Sequence, residues 1–325
     1  MKCSRANPRD GKAQDGRNMI DSFSLRLGTR GSKLALLQAE IAARALYATC
    51  GRMCRIVTVK TTGDTVRDKP LAAIGGKALF AKEIEEALLQ GEIDFAVHSL
   101  KDLPAELPEG LTLSAVLPRE IPFDALVLPE GKTFDGILSR IGTGSVRRIA
   151  QARRAWPETE VLALRGNVDS RLIRLDRGDF DAVMLASAGL TRLGKAGRIS
   201  VLLDSWLPAL AQGAIGIETR ADDTPVNETL ERLNDEASAL CIACERGFQR
   251  GLGGSCHSPV AGLARIEDGR IRFRGEVIAP DGGDQIEVSF DLPLGEYRAS
   301  LVVAEERGIQ AGRDLRPRVL PWLGP

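Results

Sequence analysis

Four polar side chains stand close together in His98-Ser99-Leu100-Lys101-Asp102, between an apolar run at residues 93–97 and Pro104. The run reads as a short buried strand, and the proline blocks its continuation. In an open α/β sheet, polar groups at the carboxyl end of a strand sit where ligands bind. A cation beside Asp102 keeps its carboxylate ionised, ready to accept hydrogen bonds or to face a positive charge. The competing reading is a solvated Lys101-Asp102 pair at a strand end.

Arginine supplies the complementary chemistry. The chain holds 44 basic residues, of which ten are Lys and the rest Arg, and Arg's planar fork suits carboxylates and phosphates. Position decides which of them matter. Thr143-Gly144-Ser145-Val146-Arg147-Arg148 places two cations in the first turn of a helix, against its dipole. Either they are solvated at a small cost, or they converge with free N–H groups on an anionic ligand, which removes the conflict. Arg165-Gly166-Asn167 closes another strand, at residues 161–164, and Arg171 follows on the next helix. Arg153, Arg154, Arg174 and Arg177 are expected on solvated helix faces.

Cys256 lies in the glycine-rich loop Gly253-Gly254-Ser255-Cys256-His257, where a thiol can be offered to a cleft. On an extended backbone His257 points away from it, so a covalent attachment point fits better than a His-activated nucleophile. An inert loop thiol is the alternative. Cys241 and Cys244 have zinc-like spacing but fall in a helical pattern, and Cys50 and Cys54 would have to join them from a distant helix. No metal is expected.

These residues need a scaffold. The 325 residues, 43% hydrophobic and 27% charged, suffice for two or three domains. Zero net charge argues against a general nucleic-acid or anionic-membrane binder. Residues 1–21 lack the apolar core of a signal peptide, and no run approaches the roughly 20 residues of a membrane span. The chain is expected to be cytoplasmic, with residues 1–21 a flexible tail.

Alternation at Phe23, Leu25 and Leu27 predicts a strand, followed by Gly28-Thr29-Arg30-Gly31-Ser32 with Ser32 as the cap of a helix bearing Leu34, Leu37 and Ile41. Residues 56–60 form the next strand, and a long loop runs to Gly75-Gly76-Lys77 before a helix with Phe80, Ile84 and Leu88. The pattern then repeats. Residues 141–145 echo 27–32, and residues 179–183 echo 93–97, in the same order. Two related α/β domains facing one cleft are predicted, with a strand at Gln212-Gly213-Ala214-Ile215-Gly216-Ile217 crossing back to the first. A small α+β domain ends the chain, its last helix within residues 296–307. The expected boundaries are 22–117 with 212–235, 118–211, and 236–325.

Seven segments in order resemble the porphobilinogen deaminase (hydroxymethylbilane synthase) family. They are Thr29-Arg30-Gly31-Ser32, Gly75-Gly76-Lys77, His98 to Asp102, Ser145-Val146-Arg147-Arg148, Leu164-Arg165-Gly166-Asn167-Val168, Gln212-Gly213-Ala214 and the Cys256 loop. The resemblance implies two domains like type 2 periplasmic binding proteins plus the small third one. It implies a dipyrromethane cofactor held by a thioether to Cys256, four porphobilinogens added head to tail with loss of ammonia, and hydrolytic release of hydroxymethylbilane. By that resemblance Asp102 is the catalytic residue. Ser99, Lys101, Thr143, Ser145, Arg147, Arg148, Gln212 and Gly213 would hold the cofactor. Arg30, Ser32, Lys77, Phe80, Arg165, Gly166, Asn167 and Arg171 would hold substrate. The partners implied are porphobilinogen and the growing polypyrrole, with no nucleic acid, no membrane and a monomeric chain. Ala73, Phe123, Gly144 and Ala211 depart from residues frequent in the family: Lys, Arg, Ser and Gly. A non-catalytic bilobal binder of a polycarboxylate ligand is the alternative reading.

Overall fold

The computed structural model describes residues 24–61, 81–253 and 258–323. The tail, Phe23, Ala73, Lys77, Phe80 and Cys256 with its loop neighbours lie outside the described residues.

Strand β1 (Leu25–Arg30) runs through Ser32 into helix α1 (Lys33–Cys50). Ser32 has extended backbone, and its hydroxyl accepts the N–H of Ala35 at 3.3 Å, the expected cap. Ala39, Ala42 and Leu46 on α1 bury against Leu27 of β1 and against Phe95 and Val97. Each such large side chain stabilises the fold by about 1.5–3 kcal/mol. Next come β2 (Cys54–Val59), α2 (Lys82–Leu89), β3 (Phe95–Ser99) and β4 (Leu111–Val116). Strand β3 starts two residues later than the apolar run suggests, with Ile93 buried beside Ile84 and Leu88 ahead of it, and extends to Ser99, which pairs with Ile215.

The second sheet is built from β5 (Asp124–Val127), β6 (Arg140–Thr143), β7 (Glu160–Ala163), β8 (Ala182–Ala186) and β9 (Val201–Leu203). Its helices are α3 (Val146–Ala155), α4 (Val168–Asp176) and α5 (Ser187–Arg192). Strand β10 (Ile215–Arg220) then returns to the first sheet, antiparallel to β3 and β4.

The strand orders are β2-β1-β3-β10-β4 and β7-β6-β8-β5-β9. They are one pattern twice, with β6 standing for β1, β8 for β3, and the crossing strands β5 and β10 in the fourth place. This is the pair of related α/β domains expected from the sequence. The sequence echoes fall on matched strands: residues 27–32 and 141–145 are β1 and β6 with their turns, and residues 93–97 and 179–183 lead into β3 and β8. In both lobes the helix-bearing turns leave the carboxyl ends of parallel strands.

After α6 (Thr224–Glu231), the last unit packs α7 (Glu236–Leu252) and α8 (Tyr297–Val319) on the antiparallel meander β11 (Val260–Glu267), β12 (Arg270–Ile278) and β13 (Gln285–Pro293). Phe248 and Phe273 centre its core. The two helices approach through glycines: a Cβ on Gly251 would lie 2.1 Å from the Ile309 carbonyl oxygen, and one on Gly308 2.2 Å from that of Cys244. The final helix is longer than its sequence suggests. An arginine-rich surface masks the stripe Ala304, Ala311, Leu315 and Val319 that packs on α7, and Pro317 is accommodated in the last turn. Among the described residues no helix is long and apolar enough to cross a membrane.

Ala211 has φ of 59°, the left-handed region where a Cβ is disfavoured by about 1–2 kcal/mol. Its N–H is held by the buried carboxylate of Glu245 at 2.6 Å, which also accepts Arg119 and the N–H of Ala264. That carboxylate fixes the conformation from three segments. Ala211→Gly is therefore expected to stabilise the protein by about 0.5–1 kcal/mol, after the greater freedom of Gly in the unfolded chain is subtracted. Urea unfolding checks this; a lower midpoint at unchanged slope would disprove it.

Candidate active site

One wall of the cleft comes from the first sheet. Beyond β3 the chain makes a single 3-10 turn, Leu100–Asp102, whose Leu100 is buried while Asp102 is exposed. Arg30, Ser32, Gln38, His98, Ser99 and Asp102 line one pocket. The Ser99 hydroxyl accepts from Nε2 of Gln38 at 2.8 Å and donates to its Oε1 at 3.0 Å. Gln38 escaped the sequence reading. Its signal was a lone amide on the apolar stripe of α1, where it is 3% exposed.

The other wall comes from the second sheet. Ser145 caps α3, accepting the N–H of Arg148, and its own N–H donates to the buried Thr143 hydroxyl at 3.3 Å. Arg147 and Arg148 are neither solvated nor free, a third arrangement that sequence reasoning did not consider. Arg147 donates to Asp124 at 2.7 Å and to Gln151 at 2.7 Å. Arg148 donates to the other Asp124 oxygen at 2.7 and 3.1 Å and to the Met184 carbonyl at 2.9 Å. Burial would raise the Asp124 carboxyl, but the two guanidiniums overcome it and hold it well below the usual carboxylate range. Two cations on one carboxylate leave one positive charge in excess at the helix N-terminus.

Gln212 joins the walls. Its amide donates to Asp124 at 2.8 Å and to the Pro122 carbonyl at 2.7 Å, and its Oε1 accepts Lys101 at 3.2 Å. Burial pushes the Lys101 ammonium down to about 8, opposed by Asp102 and reinforced by Arg148. The Gly213 carbonyl accepts Arg192 at 2.6 Å. Phe123, at the crossing, lies under the Arg265 guanidinium at 5.2 Å.

Asn167 caps α4, accepting the N–H of Ser170 at 2.8 Å, and the Gly166 carbonyl accepts Nε of Arg171 at 2.8 Å. These bonds aim Arg171 across the cleft. Burial, then the charge of Arg148, push its guanidinium down to about 10 against the pull of Asp102, with Arg165 adding to the push. Asp102 of one lobe and Arg148, Arg165 and Arg171 of the other thus share one electrostatic site. Cys241 and Cys244 are buried in α7, their thiols pushed up by burial, Cys241 to about 12.

Two lobes of one topology thus set an excess of cations around one exposed carboxylate. Residues 25–228 match the family model "Porphobilinogen deaminase, dipyromethane cofactor binding domain", and residues 239–316 match "Porphobilinogen deaminase, C-terminal domain". The chain belongs to the porphobilinogen deaminase family. It is 47% identical over 276 residues to the porphobilinogen deaminase of Paracoccus denitrificans (strain Pd 1222), covering 81% of this chain and 86% of that protein. It is 44% identical over 299 residues to that of Nitrobacter hamburgensis, covering 90% and 92%. Among solved structures it resembles the BvgS periplasmic VFT2 domain of Bordetella pertussis, with a TM-score of 0.40 and 17% identity over 67% of this chain and 89% of that one.

Proposed function

We propose that the protein condenses four porphobilinogen molecules head to tail, releasing ammonia at each step, and then hydrolyses off linear hydroxymethylbilane. The observation that carries this reading is that Asp102 faces an excess of guanidinium groups across the cleft. Each pyrrole bears an acetate and a propionate, so a growing chain needs many cationic partners. Its ring N–H groups, and the cationic azafulvene that the substrate becomes as ammonia leaves, need a negative charge instead. Asp102 supplies it.

The cleft suits a dipyrromethane. Burial, and after it the positive charge of Arg148, lowers the proton affinity of Lys101 and Arg171, and a ligand carrying several carboxylates would offset that charge. Bound there, the cofactor supplies the pyrrole carbon to which the first substrate is joined. Ser99, Lys101, Thr143, Ser145, Arg147, Arg148, Gln212 and Gly213 are assigned to it, with Cys256 as the attachment point. Arg148 would divide its donors between a cofactor carboxylate and its existing partner Asp124. Arg30, Ser32, Arg165, Gly166, Asn167 and Arg171 are assigned to incoming substrate, as are Lys77 and Phe80. We also assign residues 22–117 with 212–235 to the first domain, 118–211 to the second and 236–325 to the third. A monomer in the cytoplasm completes the reading.

Intact mass of the denatured protein tests it, with a peptide map around Cys256. Extra mass equal to two linked pyrroles is expected on that peptide, and Cys256→Ser is expected to lose the adduct and all turnover. An adduct on another cysteine would overturn the attachment site. A chain that stays unmodified and inert after incubation with porphobilinogen would favour a non-catalytic binder.

A further inference from the structure

Behind the turn that carries Asp102 lies a buried ionic cluster that the proposed chemistry does not use. Glu218, in β10, is wholly buried, and its Oε2 stands 2.9 Å from Nε2 of His98 in β3. In the ladder Glu218 pairs with Ala96 while His98 pairs with Gly216, so the two side chains are diagonal neighbours on one face. The contact is an ion-pair approach rather than an aligned hydrogen bond, and among the described residues neither Glu218 oxygen has a hydrogen-bond partner. Glu85, on α2, is 5% exposed and faces Glu218 and His98; its Oε1 is also without a hydrogen-bond partner among the described residues. From α7 the buried Arg246 faces Glu218. Its guanidinium donates to the carbonyls of Leu103, Pro104 and Ala105 at 3.4, 2.7 and 3.1 Å. Arg250, one turn along α7, repels Arg246 and is itself paired with Glu305.

The cluster grips the chain on both sides of the Leu100–Asp102 turn: His98 precedes it, and the carbonyls held by Arg246 follow it. A buried carboxylate with no hydrogen bond is costly, and an apolar side chain of similar volume would often fill such a place at less cost. We infer that Glu218 is a positioning residue for the reaction: acting through His98 and Arg246, it holds both flanks of the Asp102 turn. This inference rests on the function proposed above.

Glu85 makes the arrangement sensitive to pH. Burial, then the charge of Glu218, push its carboxyl up to about 7, His98 pulls the other way, and Glu86 on the same helix adds to the push. Folded Glu85 thus keeps its proton to a higher pH than the unfolded chain does, and the protein loses stability as pH rises from the ordinary value of 4.5 to about 7. Above that range a second negative charge stands beside Glu218 and competes for His98.

The test compares the parent with Glu218→Gln and Glu85→Gln, each checked by intact mass for cofactor, with kcat and KM for porphobilinogen measured from about pH 6 to 9. Glu218→Gln is expected to lose about 10- to 100-fold in kcat, with KM within about threefold and the cofactor mass unchanged. The parent's kcat is expected to decline as pH rises past about 7, and Glu85→Gln is expected to abolish that decline. Parental kcat in folded, cofactor-loaded Glu218→Gln overturns the inference. Should that variant not fold, a Glu85→Gln profile superimposable on the parent's overturns it instead. An active parent beside unaffected variants leaves the proposed function standing and removes this inference alone. A parent inert toward porphobilinogen removes both.

Discussion

Asp102→Asn is expected to lower kcat by about 10²- to 10⁴-fold while KM for porphobilinogen stays within a few-fold. The substitution keeps the shape and one carbonyl acceptor, so a pyrrole N–H can still be bound. What it removes is the negative charge, which matters most when the substrate becomes cationic, and an interaction strongest at that moment appears in kcat rather than in KM. Stability is expected to change by no more than about 0.5 kcal/mol, because Asp102 is exposed and its side chain makes no hydrogen bond among the described residues. Arg171 across the cleft loses an attracting charge, so its guanidinium would move further down from its ordinary range. Steady-state kinetics with intact mass of the stalled species measure the effect. Near-parental kcat in a correctly loaded variant would remove Asp102 from the chemistry.

The sequence made the duplicated lobes legible because a strand entering a capped helix leaves a local signature. Leu27 to Ser32 and Ile141 to Ser145 are such signatures, and the ladders set them on matched strands. The crossing strand at Ile215 was legible by another local signature, an apolar run opened by a Gln-Gly turn. The partners of the basic residues were not legible. Nothing near Arg147 in the sequence names Asp124, because the carboxylate lies on β5, which reaches α3 only through the sheet order β6-β8-β5. Glu218 and His98 are likewise 120 positions apart and meet through one antiparallel ladder. Local pattern identifies elements; the register between distant strands decides which charges meet. The same limit explains α8, whose buried stripe has meaning only against the glycines of α7.

Asp124→Ala is expected to cost about 3–5 kcal/mol at neutral pH, the largest stability loss of any substitution considered. The carboxylate is 1% exposed and accepts four hydrogen bonds: one from Arg147, two from Arg148 and one from Gln212. Without it two buried guanidiniums face each other uncompensated, and Arg147 already has its proton affinity lowered by burial and by Arg148. Gln212 loses its hold as well, so the link from Lys101 to the second lobe slackens, and kcat is expected to fall with stability. The pH dependence gives a separate check. Because the folded state holds the Asp124 carboxyl well below its unfolded value, its contribution is full above the unfolded value of about 4 and is lost as pH falls through the folded one. The gap between parent and Asp124→Ala in urea unfolding should therefore be widest near neutral pH and narrow on strong acidification. A second substitution, Arg147→Gln, should recover part of the loss by removing one of the stranded cations. A gap below about 1 kcal/mol at neutral pH would mean that the two arginines find other partners, and that Asp124 does not organise the second wall of the cleft.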